Sequence, residues 1–181
     1  MKVLGAVLAG GRSLRFGSDK ALATIRGKTL LDHTISNLQQ ITQEIVVCGR
    51  LWAGHLALED RPRAGMGPLG GLNAALRHAQ TSDFDWVLTL PCDTPFVDAS
   101  VLAVMIAIER AAYIEQQPAI GLWPTRVQGA LEAFLDSHRK HSLQAFGQTI
   151  QAESLSVEGE ILNFNFAGDL QKWRARQGCN E

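Results

Sequence analysis

Leu8 to Leu22 reads LAGGRSLRFGSDKAL, and it joins an apolar run to a polar segment. The run before it, Val3-Leu4-Gly5-Ala6-Val7-Leu8, is nearly all apolar, as a strand covered on both faces is. Gly10 and Gly11 follow at once. Glycine accepts positive φ and lets the backbone approach a ligand closely, so successive N–H groups can point at an anion. Arg12, Arg15 and Lys20 then add positive charge, with Asp19 the acid among them. A strand, a glycine turn and a cationic cluster, in that order, suit a di- or triphosphate. The same residues also suit a plain glycine turn whose charges are solvated.

Strand and helix patterns alternate outward from this point. Leu31, Ile35, Leu38 and Ile41 have helical spacing, and Ile45 to Cys48 forms a second short strand, with Leu56 to Leu58 a third. Leu72, Ala75, Leu76 and Ala79 make one helical stripe. Trp86 to Leu90 is another buried-type strand. Asp98 or Ser100 caps a helix that carries Val101, Val104, Met105 and Ile108 on one face. The second half is less regular. Ala119 to Trp123 suits a strand, Leu131 to Leu135 and Leu143 to Ile150 suit helices, Leu155 to Phe166 looks extended, and Leu170 to Arg176 forms a closing helix. Alternation of this kind predicts an α/β fold: a single Rossmann-like three-layer domain with a mostly parallel sheet, spanning 1–181. Open parallel sheets bind ligands beyond the carboxyl ends of their strands, which directs attention to Ala9–Lys20, Cys48–Trp52, Glu59–Gly71 and Pro91–Asp98.

Composition narrows the function classes. With 181 residues, 17 basic and 18 acidic side chains and a net charge of −1, the composition gives no support for a nucleic-acid-coating surface, while leaving room for a local basic cluster. No apolar run approaches the length of a membrane span, and MKVLGAVLAGG reads as a strand rather than a leader. Cys48, Cys92 and Cys179 lack disulfide or zinc spacing, which suits a cytoplasmic protein.

Two familiar phosphate templates fail. Gly27-Lys28-Thr29 lacks the glycine that a P-loop needs five positions earlier, where Leu22 stands. Gly65-Met66-Gly67-Pro68-Leu69-Gly70 spells G-x-G-x-x-G, but Arg61-Pro62-Arg63 separates it from a strand and Pro68 removes an amide. It reads as a loop opening a helix. Asp93, in Pro91-Cys92-Asp93-Thr94-Pro95, directly follows a strand expected beside the first. One carboxylate there can hold Mg²⁺ when phosphates and water supply the other ligands. Taken alone, Asp93 reads first as an Asx-turn residue; beside a basic glycine loop on an adjacent strand end, the metal reading is the better one.

Three stretches together carry a family resemblance. LAGGRSLRFGSDKAL resembles the Leu-Ala-Gly-Gly-x-Ser-x-Arg-Met-Gly-x-Asp-Lys signature of nucleotidyltransferases. LPCDTPFV is similar to their metal-binding Cys-Asp-Thr-Pro stretch, and EDRPRAGMGPLGGLNAAL to their loop of Asp, Gly-Pro-Leu-x-Gly and helix. The chain most resembles the molybdenum cofactor guanylyltransferases, which have a glycosyltransferase-A-like fold. That resemblance implies GMP transfer from GTP to the terminal phosphate of molybdopterin, with Mg²⁺ as the metal. It implies Leu8, Ala9, Gly10 and Gly11 around the nucleotide and Arg15 and Lys20 on the triphosphate. It also implies Asp60 on the nucleoside side, Asp93 as metal ligand, and Asn163 and Asn165 on the pterin side. Residues 1–112 would then serve the nucleotide and 113–181 the acceptor. The expected partners are the two small substrates and, transiently, other cofactor-biosynthesis or acceptor proteins; neither nucleic acid nor membrane is expected.

A phosphate dianion is already nucleophilic, so the expected chemistry needs charge and position rather than a Ser-His or Cys-His pair. Cys92 therefore reads as a small buried thiol and His33 as a satisfied histidine. The tryptophans read as packing, with Trp123 the one that suits a pterin ring. The sequence departs from the family at Phe16 for methionine, at Cys48 for a nucleotide-contacting asparagine, and at Asn163-Phe164-Asn165-Phe166-Ala167 for Asn-x-Asn-Thr-Pro. Two other readings remain: a cytidylyltransferase of the same fold, whose signature usually reads Leu-Ala-Ala-Gly, and a non-catalytic nucleotide-binding adaptor.

Overall fold

The computed structural model describes residues 1–10, 19–137 and 142–176. Its strands are β1 (Val3–Leu8), β2 (Thr24–Ile25), β3 (Lys28–Thr29), β4 (Glu44–Cys48), β5 (Leu56–Leu58), β6 (Trp86–Pro91), β7 (Ala112–Ile114), β8 (Gln117–Pro124) and β9 (Glu153–Leu155). Its helices are α1 (Leu30–Gln39), α2 (Pro68–Thr81), α3 (Ala99–Ala107), α4 (Gln128–Asp136), α5 (Leu143–Thr149) and α6 (Ala167–Arg176). A seven-stranded sheet has the order β5-β4-β1-β6-β8-β7-β9, and β2 and β3 form a separate hairpin.

β1 lies parallel to both β4 and β6, and every residue of β1 and β6 is buried. That is the environment an unbroken apolar run demands. One face of the sheet takes Leu31, Ile35 and Leu38 from α1 with Leu102 and Met105 from α3. The other takes Leu72, Ala75, Leu76 and Ala79 from α2, Leu131 and Leu135 from α4, and Phe146 from α5. Two helical layers thus sandwich the sheet, as the alternating pattern predicts. β8 runs antiparallel to β6 and β7, while β9 joins β7 in parallel. The sheet therefore continues from the first half of the chain into the second.

Several local expectations are met. Asp98 caps α3 by accepting the Ser100 N–H at 2.8 Å. Thr29 does the same for α1 through the Asp32 N–H at 3.0 Å. The expected extension of Leu155 to Phe166 is corrected: strand pairing ends at Leu155, and the chain then runs without regular structure to α6. Phe164 anchors that run. It is 2 % exposed and packs with Ile25, Leu30, Leu170, Phe96 and Trp173 in a third small core. Phe96 and Trp173 stack there at 5.1 Å between ring centroids. Burial of this one aromatic fixes the path of the residues on either side of it. Among the described residues no helix is long and apolar enough to cross a membrane.

Candidate functional site

Parallel pairing sets Leu8, Cys48 and Pro91 at one level, because Leu8 registers with Cys48 in β4 and with Pro91 in β6. Cys48 in turn registers with Leu58. The four loops that follow these residues therefore leave from one edge. Main-chain bonds tie them together: Ala9 N–H to Cys48 O at 2.9 Å, Gly49 N–H to Leu58 O at 2.8 Å, and Cys92 N–H to Leu8 O at 3.2 Å. The result is a pocket whose lining includes Leu8, Ala9, Gly10, Lys20, Cys48, Asp60 and Asp93.

Two loops touch so closely that a side chain has no room. A Cβ on Gly49 would lie 2.3 Å from the Gly10 Cα, and Gly49 also has φ +87°. Gly49→Ala is expected to destabilise the fold by about 2–4 kcal/mol, the sum of left-handed strain and overpacking. A urea titration measures this; a midpoint equal to the parent's would show that the contact relaxes without cost.

Lys20 sits in a single helical turn, Lys20–Leu22, that Asp19 caps through the Ala21 N–H at 3.2 Å. Its Nζ donates to Asp93 Oδ2 at 2.5 Å. The two side chains are 19 % and 10 % exposed, so this is a largely desolvated pair at the pocket wall. The second oxygen, Asp93 Oδ1, is buried with no hydrogen-bond partner. An orphaned carboxylate oxygen is costly to bury and suits a cation. The Asx-turn reading is corrected, because the turn itself is closed by Thr94 through its N–H and Oγ1 to Pro91 O.

The C-terminal segment arrives beside this aspartate. The Phe164 N–H donates to the Asp93 carbonyl at 2.8 Å, which brings Asn163 and Asn165 to the same strand end. Asn163 is half-buried, and its Oδ1 is a second orphaned acceptor. Asn165 is exposed, and its N–H is taken by Asp169 at 3.0 Å. Oxygen atoms of this kind, one charged and one neutral, fit a hard divalent cation such as Mg²⁺ or Mn²⁺. Among the described residues no three His, Cys, Asp or Glu side chains gather into a protein-only metal cage.

Asp60 faces the pocket from the far side. The G-x-G-x-x-G loop proves to lie against this carboxylate, with the amides of Gly65, Met66 and Gly67 acting on its charge. Burial pushes the Asp60 carboxyl above the usual range, and those three amides oppose the shift. Gly70 admits the close packing, since a Cβ there would stand 2.5 Å from the Met66 Cβ and 2.9 Å from the Asp60 Cβ.

Other candidates settle into structural roles. Burial pushes the Cys92 thiol up to about 11, with Asp93 adding to the shift. Burial likewise takes Cys48 to about 12. Both thiols are buried in the core, an environment that disfavours the thiolate and suits packing. His33 Nε2 is bonded to Ile25 O at 2.8 Å. Trp123 is corrected: it is fully buried, with its Nε1 donating to Thr89 Oγ1 at 3.0 Å, too deep to meet a ligand. Gly11, Arg12 and Arg15 lie outside the described residues. Arg50 carries no motif, yet its Nη2 donates to Asp19 Oδ2 beside Lys20. Only its place two residues past β4, in a loop at the ligand-binding edge, could have pointed to it.

A parallel α/β sheet whose carboxyl edge joins a glycine loop, a lysine–aspartate pair and orphaned oxygens has the makings of a nucleotidyltransferase. The profile of the MobA-like NTP transferase domain matches residues 5–153, and the chain belongs to that family. The molybdenum cofactor guanylyltransferase of Acidiphilium cryptum is 31% identical over 176 residues, covering 91% of this chain and 90% of the relative. The fold is shared with molybdopterin-guanine dinucleotide biosynthesis protein A of Archaeoglobus fulgidus, at TM-score 0.65 and 20% identity over 96% of this chain and 88% of that one. It is shared also with the Rv0371c protein of Mycobacterium tuberculosis in complex with manganese, at TM-score 0.63 and 16% identity over 95% and 97%.

Proposed function

We propose that the protein transfers GMP from GTP to the terminal phosphate of molybdopterin and releases pyrophosphate. The observation that carries this reading is the Lys20–Asp93 pair at the shared end of β1 and β6, with the unpartnered Asp93 Oδ1 beside it. In this reading the chain acts as one domain, residues 1–112 serving the nucleotide and 113–181 the acceptor. Leu8, Ala9, Gly10 and Gly11 wrap the nucleotide, and Arg15 serves the triphosphate. Asp60 accepts from the nucleoside, and Asn163 and Asn165 meet the pterin side.

An oxygen of the acceptor phosphate attacks the α-phosphorus of GTP, and the bond to the β-phosphate oxygen breaks in line. No proton need be removed from the attacking dianion, so the protein's work is to align two anions and offset their charge. Lys20 does this with its ammonium, supported by Arg15. Asp93, with Asn163 nearby, would hold Mg²⁺, which when bound neutralises phosphate oxygens and screens the repulsion between the two substrates. The buried, unpaired Cys48 and Cys92 suit a reducing compartment, the cytoplasm.

Nucleotide preference tests the reading directly. GTP with Mg²⁺ is expected to raise the melting temperature more than CTP or ATP at equal concentration, by the equivalent of about 2.7 kcal/mol at 100 times Kd. A larger shift with CTP would place the protein in the cytidylyl branch. No shift with any nucleotide would remove both enzyme and nucleotide-binding adaptor.

A further inference from the structure

The transfer chemistry gives no role to the partly buried charge of Arg50. Arg50 follows β4 by two residues, and its side chain is 20 % exposed. Its Nη2 donates to Asp19 Oδ2, while its Nε is buried with no partner. The other Asp19 oxygen accepts the Ala21 N–H at 3.2 Å and so caps the turn that carries Lys20. Lys20 then reaches Asp93 at 2.5 Å. The Cys92 thiol, at the end of β6, feels the charges of all four. Acid and base alternate through the set: Arg50 on Asp19, Lys20 on Asp93.

We propose that Arg50 is a positioning residue for the triphosphate: by neutralising Asp19, it keeps Lys20 directed at Asp93 and the pocket. This rests on the pocket being a nucleoside triphosphate site. Arg50 is not part of the pocket lining, so it acts through Asp19. Asp19 adjoins Lys20 in the chain and is 36 % exposed. A bare carboxylate at that place subtracts from the positive potential at the phosphates and competes for the ammonium. Arginine suits the task because its planar fork grips one carboxylate oxygen while the side chain stays charged at every working pH.

The variants Arg50→Gln, Arg50→Lys, Asp19→Asn and Arg50→Gln/Asp19→Asn separate this role from simple packing. Asparagine still caps the turn. Calorimetric binding of GTP and of inorganic tripolyphosphate, with melting curves alongside, provides the readout. Arg50→Gln is expected to weaken both ligands about ten-fold, the scale of one charge-assisted contact. Arg50→Lys keeps the charge and stays within about three-fold of the parent. The double variant recovers most of the loss, because no bare carboxylate remains. Parent-like binding by Arg50→Gln overturns the proposal, and so does a double variant no better than Arg50→Gln. The two levels fail separately. If tripolyphosphate shows this pattern while the parent does not prefer GTP, the guanine reading falls and the Arg50 role stands. If the parent prefers GTP and Arg50→Gln binds it normally, the reverse holds.

Discussion

Asp93→Asn gives a folded protein that transfers GMP about 10²–10³-fold more slowly than the parent, the scale found when one charge-stabilising group is lost. The amide keeps the size of the side chain and still offers Lys20 an oxygen. The turn at Pro91–Thr94 is closed by Thr94 and does not need the carboxylate. The bond from Phe164 goes to the Asp93 main chain and survives as well. Stability should therefore fall by only about 1.5–3 kcal/mol, the value of a charge-assisted hydrogen bond. What disappears is the charge on a buried oxygen that has no protein partner. A divalent cation prefers a charged oxygen ligand, so raised Mg²⁺ or Mn²⁺ restores part of the rate. Turnover against metal concentration, with melting curves as control, decides the matter. A variant that transfers at the parent rate, or that does not fold, would make Asp93 a structural residue.

Lys20→Ala is expected to slow transfer by a similar factor, about 10²–10³, equivalent to roughly 3–4 kcal/mol of barrier. Here the loss has two parts. The triphosphate loses a cation at the pocket wall, and Asp93, only 10 % exposed, loses the ammonium that neutralises it. A bare carboxylate at that place repels the incoming phosphates. Lys20→Arg separates these contributions, since it keeps the charge while changing the shape. It should recover part of the rate. Single-turnover transfer at saturating GTP is the measurement, and a near-normal rate in Lys20→Ala would remove the phosphate role of the opening loop.

The local features of this chain were legible because they depend on near neighbours. An unbroken apolar run at Val3–Leu8 can only be a covered strand, and the stripe Leu72, Ala75, Leu76 and Ala79 can only bury one helical face. Asp98 before α3 announced its cap. The order of strands and helices then limited the architecture, and a parallel sheet puts the loops that follow its strands, the glycine loop and Asp93 among them, on one edge before any distance is known.

Other decisions depend on groups far apart in the chain, and no window of sequence contains them. β7 and β9 are three residues each, too short for a period; β7 exists because β8 offers an edge to pair with, and β9 because β7 in turn does. The amides of Gly65–Gly67 could have served a phosphate or a carboxylate; only the folded chain brings Asp60 under them. Phe164 reaches Asp93 across the molecule because the small core of Ile25, Leu30 and Leu170 holds its ring. Arg50 meets Asp19 because β4 ends level with β1. The sequence by itself determined which segments become strands and helices and which residues the edge receives. The tertiary structure decided which of those residues face one another, since register and burial are properties of the whole sheet and each pairing is settled only when both partners leave water together.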